Sequence, residues 1–71
     1  MRILTKEEVS FVLHKATEEH EEHPFLRLGQ CFFNNLLYYH HDVAESIRAS
    51  KWDPFYNDEL IDECINFITT K

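Results

Sequence analysis

The stretch Pro24-Phe25-Leu26-Arg27-Leu28-Gly29-Gln30-Cys31-Phe32-Phe33-Asn34-Asn35-Leu36-Leu37-Tyr38-Tyr39 decides the fold. Wound as a helix, it is apolar over most of its circumference. Phe25, Leu28, Phe32, Leu36 and Tyr39 share one face, with Leu26, Phe33 and Leu37 beside it on one side and Cys31 and Tyr38 on the other. A helix of this kind is contacted from several directions, so it is expected at the centre of the molecule. Pro24 is expected in its first turn, where a missing N–H is harmless. The helix is therefore predicted from about residue 23 to residue 39. Gly29 lies inside it at a propensity cost of about 1 kcal/mol relative to Ala. Close approach by another backbone or a bulky ring would explain that glycine.

Three more helices read outward from this one. Thr5 and Glu8 fit a capping box, and Leu4 with Val9 a hydrophobic staple, so helix one starts after Thr5. Val9, Val12, Leu13 and Ala16 form its inner face, and Phe11 points elsewhere. Its end runs through Glu18-Glu19-His20-Glu21-Glu22-His23, where acids oppose the macrodipole and fraying is expected. Helix three is short, from an Asp42 cap to about Ala49, with Val43 and Ile47 inward. Helix four follows Asn57 as its cap, with Tyr56 and Ile61 as a second staple. Leu60, Ile61, Cys64, Ile65, Phe67 and Ile68 form its apolar face; Asp58, Glu59, Asp62, Glu63 and Asn66 form its polar one. The fold class is thus all-α: a small four-helix domain, three longer helices and one short one, packed around helix two.

Size and composition agree. Seventy-one residues make a single helical domain, 1–71, and a chain this short buries only roughly 60% of its unfolded surface. The hydrophobic fraction of 44% argues against disorder, and a single glycine with two prolines leaves little room for hairpins. The net charge of −6 makes direct binding to nucleic acid a poor fit, and a basic protein surface a better one. Protonation of the five histidines would nearly cancel that charge, so self-association is expected to respond to mild acid. No stretch reads as a secretory signal or approaches the ~20 apolar residues of a membrane helix. Cys31 and Cys64 fall on apolar helix faces and read as reduced, buried thiols of a cytoplasmic protein.

Two polar signatures go beyond what helix packing demands. Arg27, Gln30 and Asn34 form one stripe. Trp52-Asp53-Pro54-Phe55-Tyr56-Asn57-Asp58 reads as a turn that ends one element and anchors the next, with Pro54 biasing Asp53 away from helical geometry. In the scaffold reading, the Arg27 guanidinium pairs with Asp53 or Asp58, Gln30 and Asn34 bond the turn backbone, and Trp52, Phe55 and Tyr56 pack on helix two. In that reading Arg27→Ala costs stability by stranding an aspartate. In the alternative, Arg27, Gln30, Asn34, Asp53, Tyr56 and Asp58 line an open site for a small polar ligand or a partner.

The pattern Arg27-x-Gly29-Gln30-x-x-x-Asn34, followed by Asp53-Pro54-Phe55-Tyr56-x-Asp58, resembles a group of small uncharacterised proteins of bacterial and bacteriophage genomes. The likeness covers residues 24 to 68. It implies a bacterial or phage cytosolic setting and, for a phage protein, a host factor as partner. It brings no functional residues with it.

Chemistry is sparse. His20 and His23 lie one helical turn apart among acids, a pattern that can hold a divalent metal, but without Cys-x-x-Cys or His-Glu-x-x-His a solvated helix end is the better reading. No cofactor is implied. A single glycine excludes phosphate loops, and Ser10, Ser46 and Ser50 lack a nucleophile elbow, so an enzyme is not expected. The aromatic residues are more suggestive. Phe11, Tyr38, Tyr39, Trp52, Phe55 and Tyr56 exceed what so small a core must bury, unless they complete a core short of aliphatic bulk. Exposed, such rings suit a homodimer or a protein partner, with Phe11, Tyr38, Tyr39 and Trp52 as the contact candidates. The leading expectation is a non-catalytic interaction protein, such as a phage-encoded modulator of a host protein.

Overall fold

The computed structural model describes residues 2–70. The element order is α1 (Lys6–Glu22), α2 (Leu28–Tyr39), α3 (His41–Ile47), a 3-10 turn (Asp58–Leu60) and α4 (Ile61–Thr69), with no strand among the described residues. Helix α2 packs against α1, α3 and the 3-10 turn, and α1 also meets α4. The fold is the all-α domain built around helix two that the periodicity predicts.

Helix α1 starts as its sequence dictates. The Thr5 hydroxyl accepts from the Glu8 N–H at 3.1 Å, and the Glu8 carboxylate accepts from the Thr5 N–H at 2.9 Å. That backbone bond is the main reason the Glu8 carboxyl is held below its usual range. Leu4 and Val9 are both buried, completing the staple. The Leu4 N–H also donates to the Ile68 carbonyl at 2.9 Å, tying the N-terminal segment to α4. The far end of α1 does not fray at Glu18: it continues to Glu22. Asn35 of α2 donates to Glu19 at 3.3 Å, and a His20 ring N–H donates to the Leu26 carbonyl at 2.8 Å. These bonds hold a terminus that local electrostatics disfavours.

Helix α2 begins at Leu28, later than its proline suggests. Residues 24–26 form a turn instead, closed by the Leu26 N–H on the His23 carbonyl at 3.0 Å. Phe25 therefore leaves the predicted core face and is 82% exposed. Tyr39, at the other end of that face, and Tyr38 beside it are exposed as well, and Leu26, Leu28 and Leu37 are half-buried. The middle of the face forms the core: Cys31, Phe32, Phe33 and Leu36 are buried, joined by Val12, Ala16, Val43, Ile47, Cys64 and Ile68 from the other helices. Helix α3 is capped at His40 rather than Asp42 and ends at Ile47. Asp42 sits in its first turn, where negative charge is favourable, and Arg2 lowers the Asp42 pKa through a 3.5 Å contact.

Asn57 caps the last helical segment as expected, its side chain accepting from the Glu59 N–H at 2.9 Å. The first turn is 3-10 and passes into α4 at Ile61. The Tyr56–Ile61 staple does not form: Ile61 is buried, but Tyr56 is 79% exposed.

The glycine of α2 has a definite cause. A Cβ built on Gly29 would run into the Pro54 carbonyl oxygen and crowd the Asp58 carboxylate. The turn backbone lies directly on the helix there. Gly29→Ala is expected to destabilise the fold by about 2–3 kcal/mol despite the better helix propensity of Ala, because the obstacle is backbone. Chemical denaturation checks this; a stability equal to the parent would contradict the close approach.

Candidate functional site

The polar residues singled out by sequence divide in two. Asp58 holds the turn to α2, but not through arginine. Its carboxylate accepts from the Gly29 N–H at 2.8 Å. Arg27 is the N-cap residue of α2 and makes no side-chain cap, so Asp58 supplies from a distance the acceptor that this helix start lacks. Arg27 is exposed and makes no ion pair with any described residue. The Arg27–aspartate bridge of the scaffold reading is thus replaced by a backbone-to-carboxylate bond. Asp53 acts within its own segment, accepting from the Ala49 N–H at 2.7 Å and the Phe55 N–H at 2.9 Å. Ala49 has φ 61°, a left-handed conformation unusual for a residue with a Cβ, and the first of these bonds helps hold it. Gln30 and Asn34 make no side-chain hydrogen bond with a described residue. Their neighbour Asn35, which sequence gave no reason to prefer, bonds both the Cys31 carbonyl at 2.9 Å and Glu19.

Asn34, Asp53 and Tyr56 meet again around an open groove of about 550 Å³. Phe33, Leu37 and Phe55 supply its apolar wall, and Arg48 and Ser50 complete its polar rim. Phe33 and Phe55 meet edge to face at 6.0 Å, fixing the turn against α2. The Arg48 guanidinium lies 5.4 Å from the Phe33 ring centre and 2.7 Å from Glu45. Ser50 donates its hydroxyl to the Ile47 carbonyl at 2.7 Å. Arg27, Gln30 and Asp58 do not line this groove.

Three of the four aromatic candidates come together elsewhere. Phe11 of α1 meets Tyr39 of α2 edge to face, with centroids 5.0 Å apart, and Tyr38 meets Tyr39 likewise at 4.8 Å. Phe11 is 47%, Tyr38 80% and Tyr39 40% exposed. The Lys15 ammonium lies 5.6 Å from the Phe11 ring centre. Trp52 is apart from this cluster. It stacks flat on Phe67 of α4 at 3.8 Å and 8°, is only partly exposed, and joins the 51–56 turn to α4 rather than to α2.

The histidine pair does not form a metal cage: among the described residues no group of three or more His, Cys, Asp or Glu is placed to hold an ion. His20 is committed to the Leu26 carbonyl, and His23 packs edge-on against Phe25 at 5.7 Å. Both cysteines are buried and unpaired. Burial, with Glu19 adding to it, pushes the Cys31 thiol up to about 11, and burial pushes Cys64 up to about 12. Neither is an activated nucleophile. No helix of the described residues is long and apolar enough to cross a membrane. No protein-family model matches the chain, and neither a curated protein nor a solved structure is found to be similar to it.

Two outcomes follow from this geometry. Asp58→Ala should cost about 1–2 kcal/mol of stability, whereas Arg27→Ala should stay within about 0.5 kcal/mol of the parent. Thermal melting of the two variants distinguishes a carboxylate that caps a helix from one that answers an arginine; the reverse order would restore the arginine bridge. The thiols set a pH dependence. A group whose folded pKa lies above its unfolded value of 9.0 keeps its proton longer in the native state, so its stabilisation is complete below about pH 9. Stability should fall as pH rises from about 9 towards 11, and a Cys31→Ala, Cys64→Ala double variant should lose that part of the decline. An unchanged alkaline decline would show that the thiols do not contribute.

Proposed function

We propose that this chain is a small non-catalytic protein-interaction module whose contact surface is centred on Phe11, Tyr38 and Tyr39. The observation that supports this is the cluster itself. Three large rings from two helices pack on one another at near-perpendicular angles while much of their surface stays exposed. Leaving apolar ring surface in water is unfavourable, and a partner that covers it gains the burial. Tyr carries a hydroxyl that remains satisfied at a wet rim, and its ring has few rotamers to lose on binding. The rings brace one another before any partner arrives, which lowers the ordering cost of association. The chemistry elsewhere agrees with a binding role: the thiols are buried in the protonated form, and the hydroxyl of Ser50 is held by a backbone carbonyl. In a bacterial or phage cytosolic setting, such a surface suits a modulator of a host protein, and a second copy of the chain is the other natural occupant.

The groove supports a second reading, a site for a small polar ligand. Asn34 presents an uncommitted amide beside the ring wall, and the guanidinium on that rim belongs to Arg48 rather than to Arg27.

A photo-crosslinking residue placed at Tyr38 tests the interaction reading in cells that make the protein, with the same residue at exposed Glu63 of α4 as the control. The expected outcome is one discrete adduct from position 38 and none from 63. Adducts at both positions, or at neither, would count against the aromatic surface. Tyr38→Ser should leave stability within about 0.5 kcal/mol of the parent, so loss of contact would not reflect unfolding.

A further inference from the structure

The aromatic cluster does not stand alone on its helix. Phe11, Lys15, Glu18 and Glu22 recur at spacings of four, three and four, so they fall on one stripe of α1. The stripe is about 16 Å long at 1.5 Å per residue. Tyr38 and Tyr39 lie beside its aromatic end. At its other end Lys15, Glu18, Glu19, Glu22 and His23 line a shallow concavity. The surface therefore runs from exposed rings, past a single lysine, to a group of carboxylates.

Lys15 shows what this surface holds. Its ammonium lies 5.6 Å from the Phe11 ring centre and 3.7 Å from the Glu18 carboxylate. A cation is thus seated where a ring face and a carboxylate both attract it. His14 also reaches Glu18, at 3.7 Å, but Glu22 further along makes no ion pair with a described residue. Glu22 is thus left without a cation among the described residues, and the chain as a whole carries −6.

We propose that the partner docks on α1 through a basic amphipathic segment. Its apolar side chains cover Phe11, Tyr38 and Tyr39, and its Lys or Arg side chains lie over Glu18 and Glu22. This rests on the reading of the aromatic cluster as a contact surface and adds the chemistry of what it contacts. The complementary charges set the direction in which the segment lies along α1 and speed its approach. The rings supply most of the contact area. A segment wound as a helix needs about three turns to span the stripe.

The probe is a synthetic amphipathic peptide of that length, with Leu and Phe at one end and Lys and Arg at the other. Its counterpart keeps the apolar residues and replaces each cation with Glu. Binding is read by fluorescence anisotropy at low and moderate salt. The basic peptide should bind, weaken with salt, and lose about tenfold in affinity to Tyr38→Ser. The Glu18→Gln, Glu22→Gln pair should lose about three- to tenfold. The Asp62→Asn, Glu63→Gln pair on the exposed face of α4 removes the same charge and should change affinity by less than about twofold. Failure of the basic peptide to bind would overturn the proposal. Equal losses from the two acidic pairs would do so as well, since the attraction would then be undirected. Equal, Tyr38-dependent binding of the Glu peptide would refute the basic partner while leaving the aromatic surface intact. Binding of either peptide that ignores Tyr38→Ser would refute the aromatic surface too. Dimerisation by sedimentation that Tyr38→Ser abolishes would assign the stripe to a second copy and overturn the basic segment.

Discussion

Where the Pro54 carbonyl rests on Gly29, the 51–57 segment and the central helix approach more closely than any side chain on that residue permits. The contact does two things at once. It brings the Asp58 carboxylate to the Gly29 N–H, so the start of α2, which Arg27 does not cap with its side chain, receives an acceptor from another part of the chain. It also sets where the last helical segment begins, because Asp58 is the first residue of the 3-10 turn that leads into α4. A chain this small has little burial in reserve, so one such junction carries a large share of its definition.

The rest of the turn is arranged to deliver that contact. Asp53 folds the chain after α3 around Ala49 and starts the next bend at Phe55. Phe55 then meets Phe33 on α2, and Trp52 stacks on Phe67 of α4, so the turn is clamped between two helices by aromatic faces. Gly29 and Tyr38 are nine positions apart, about 13 Å along the helix and half a revolution around it. The junction that specifies the fold and the Tyr38 ring therefore use opposite faces of α2. Binding at the rings need not disturb the turn.

Much of this architecture is legible in the sequence where local chemistry decides. Thr5 with Glu8, Asn57 ahead of two acids, and the apolar face of α4 each carry their instruction within a few residues. Gly29 also announces a close approach, though not its partner. The errors share a cause. Pro24 fits a helix start, yet the chain turns there, with the Leu26 N–H on the His23 carbonyl and the Leu26 carbonyl accepting from His20 six residues earlier. Arg27 is the obvious mate for an aspartate, yet the backbone N–H two residues on takes Asp58. Tyr56 fits a staple, but its ring meets Phe55 within the turn and stays outside the core. In each case a contact that helical spacing does not reveal chose between partners that were locally equivalent. The aromatic contact candidates divide in the same way: sequence marks four, and only tertiary packing separates Trp52 from the cluster of Phe11, Tyr38 and Tyr39.

The most direct test of the central junction is the native-state hydrogen exchange of the Gly29 amide. At the second position of a helix this N–H has no partner within the helix, and without an outside acceptor it exchanges as a loop amide does. With the Asp58 carboxylate bonded to it and the Pro54 carbonyl packed over its Cα, it should be protected to the same degree as the buried amides of Phe32 and Phe33. Exchange of Gly29 at the rate of an unstructured chain, with Phe32 and Phe33 protected, would contradict the account: the turn would not rest on the helix, and the order of the last third of the chain would need another source.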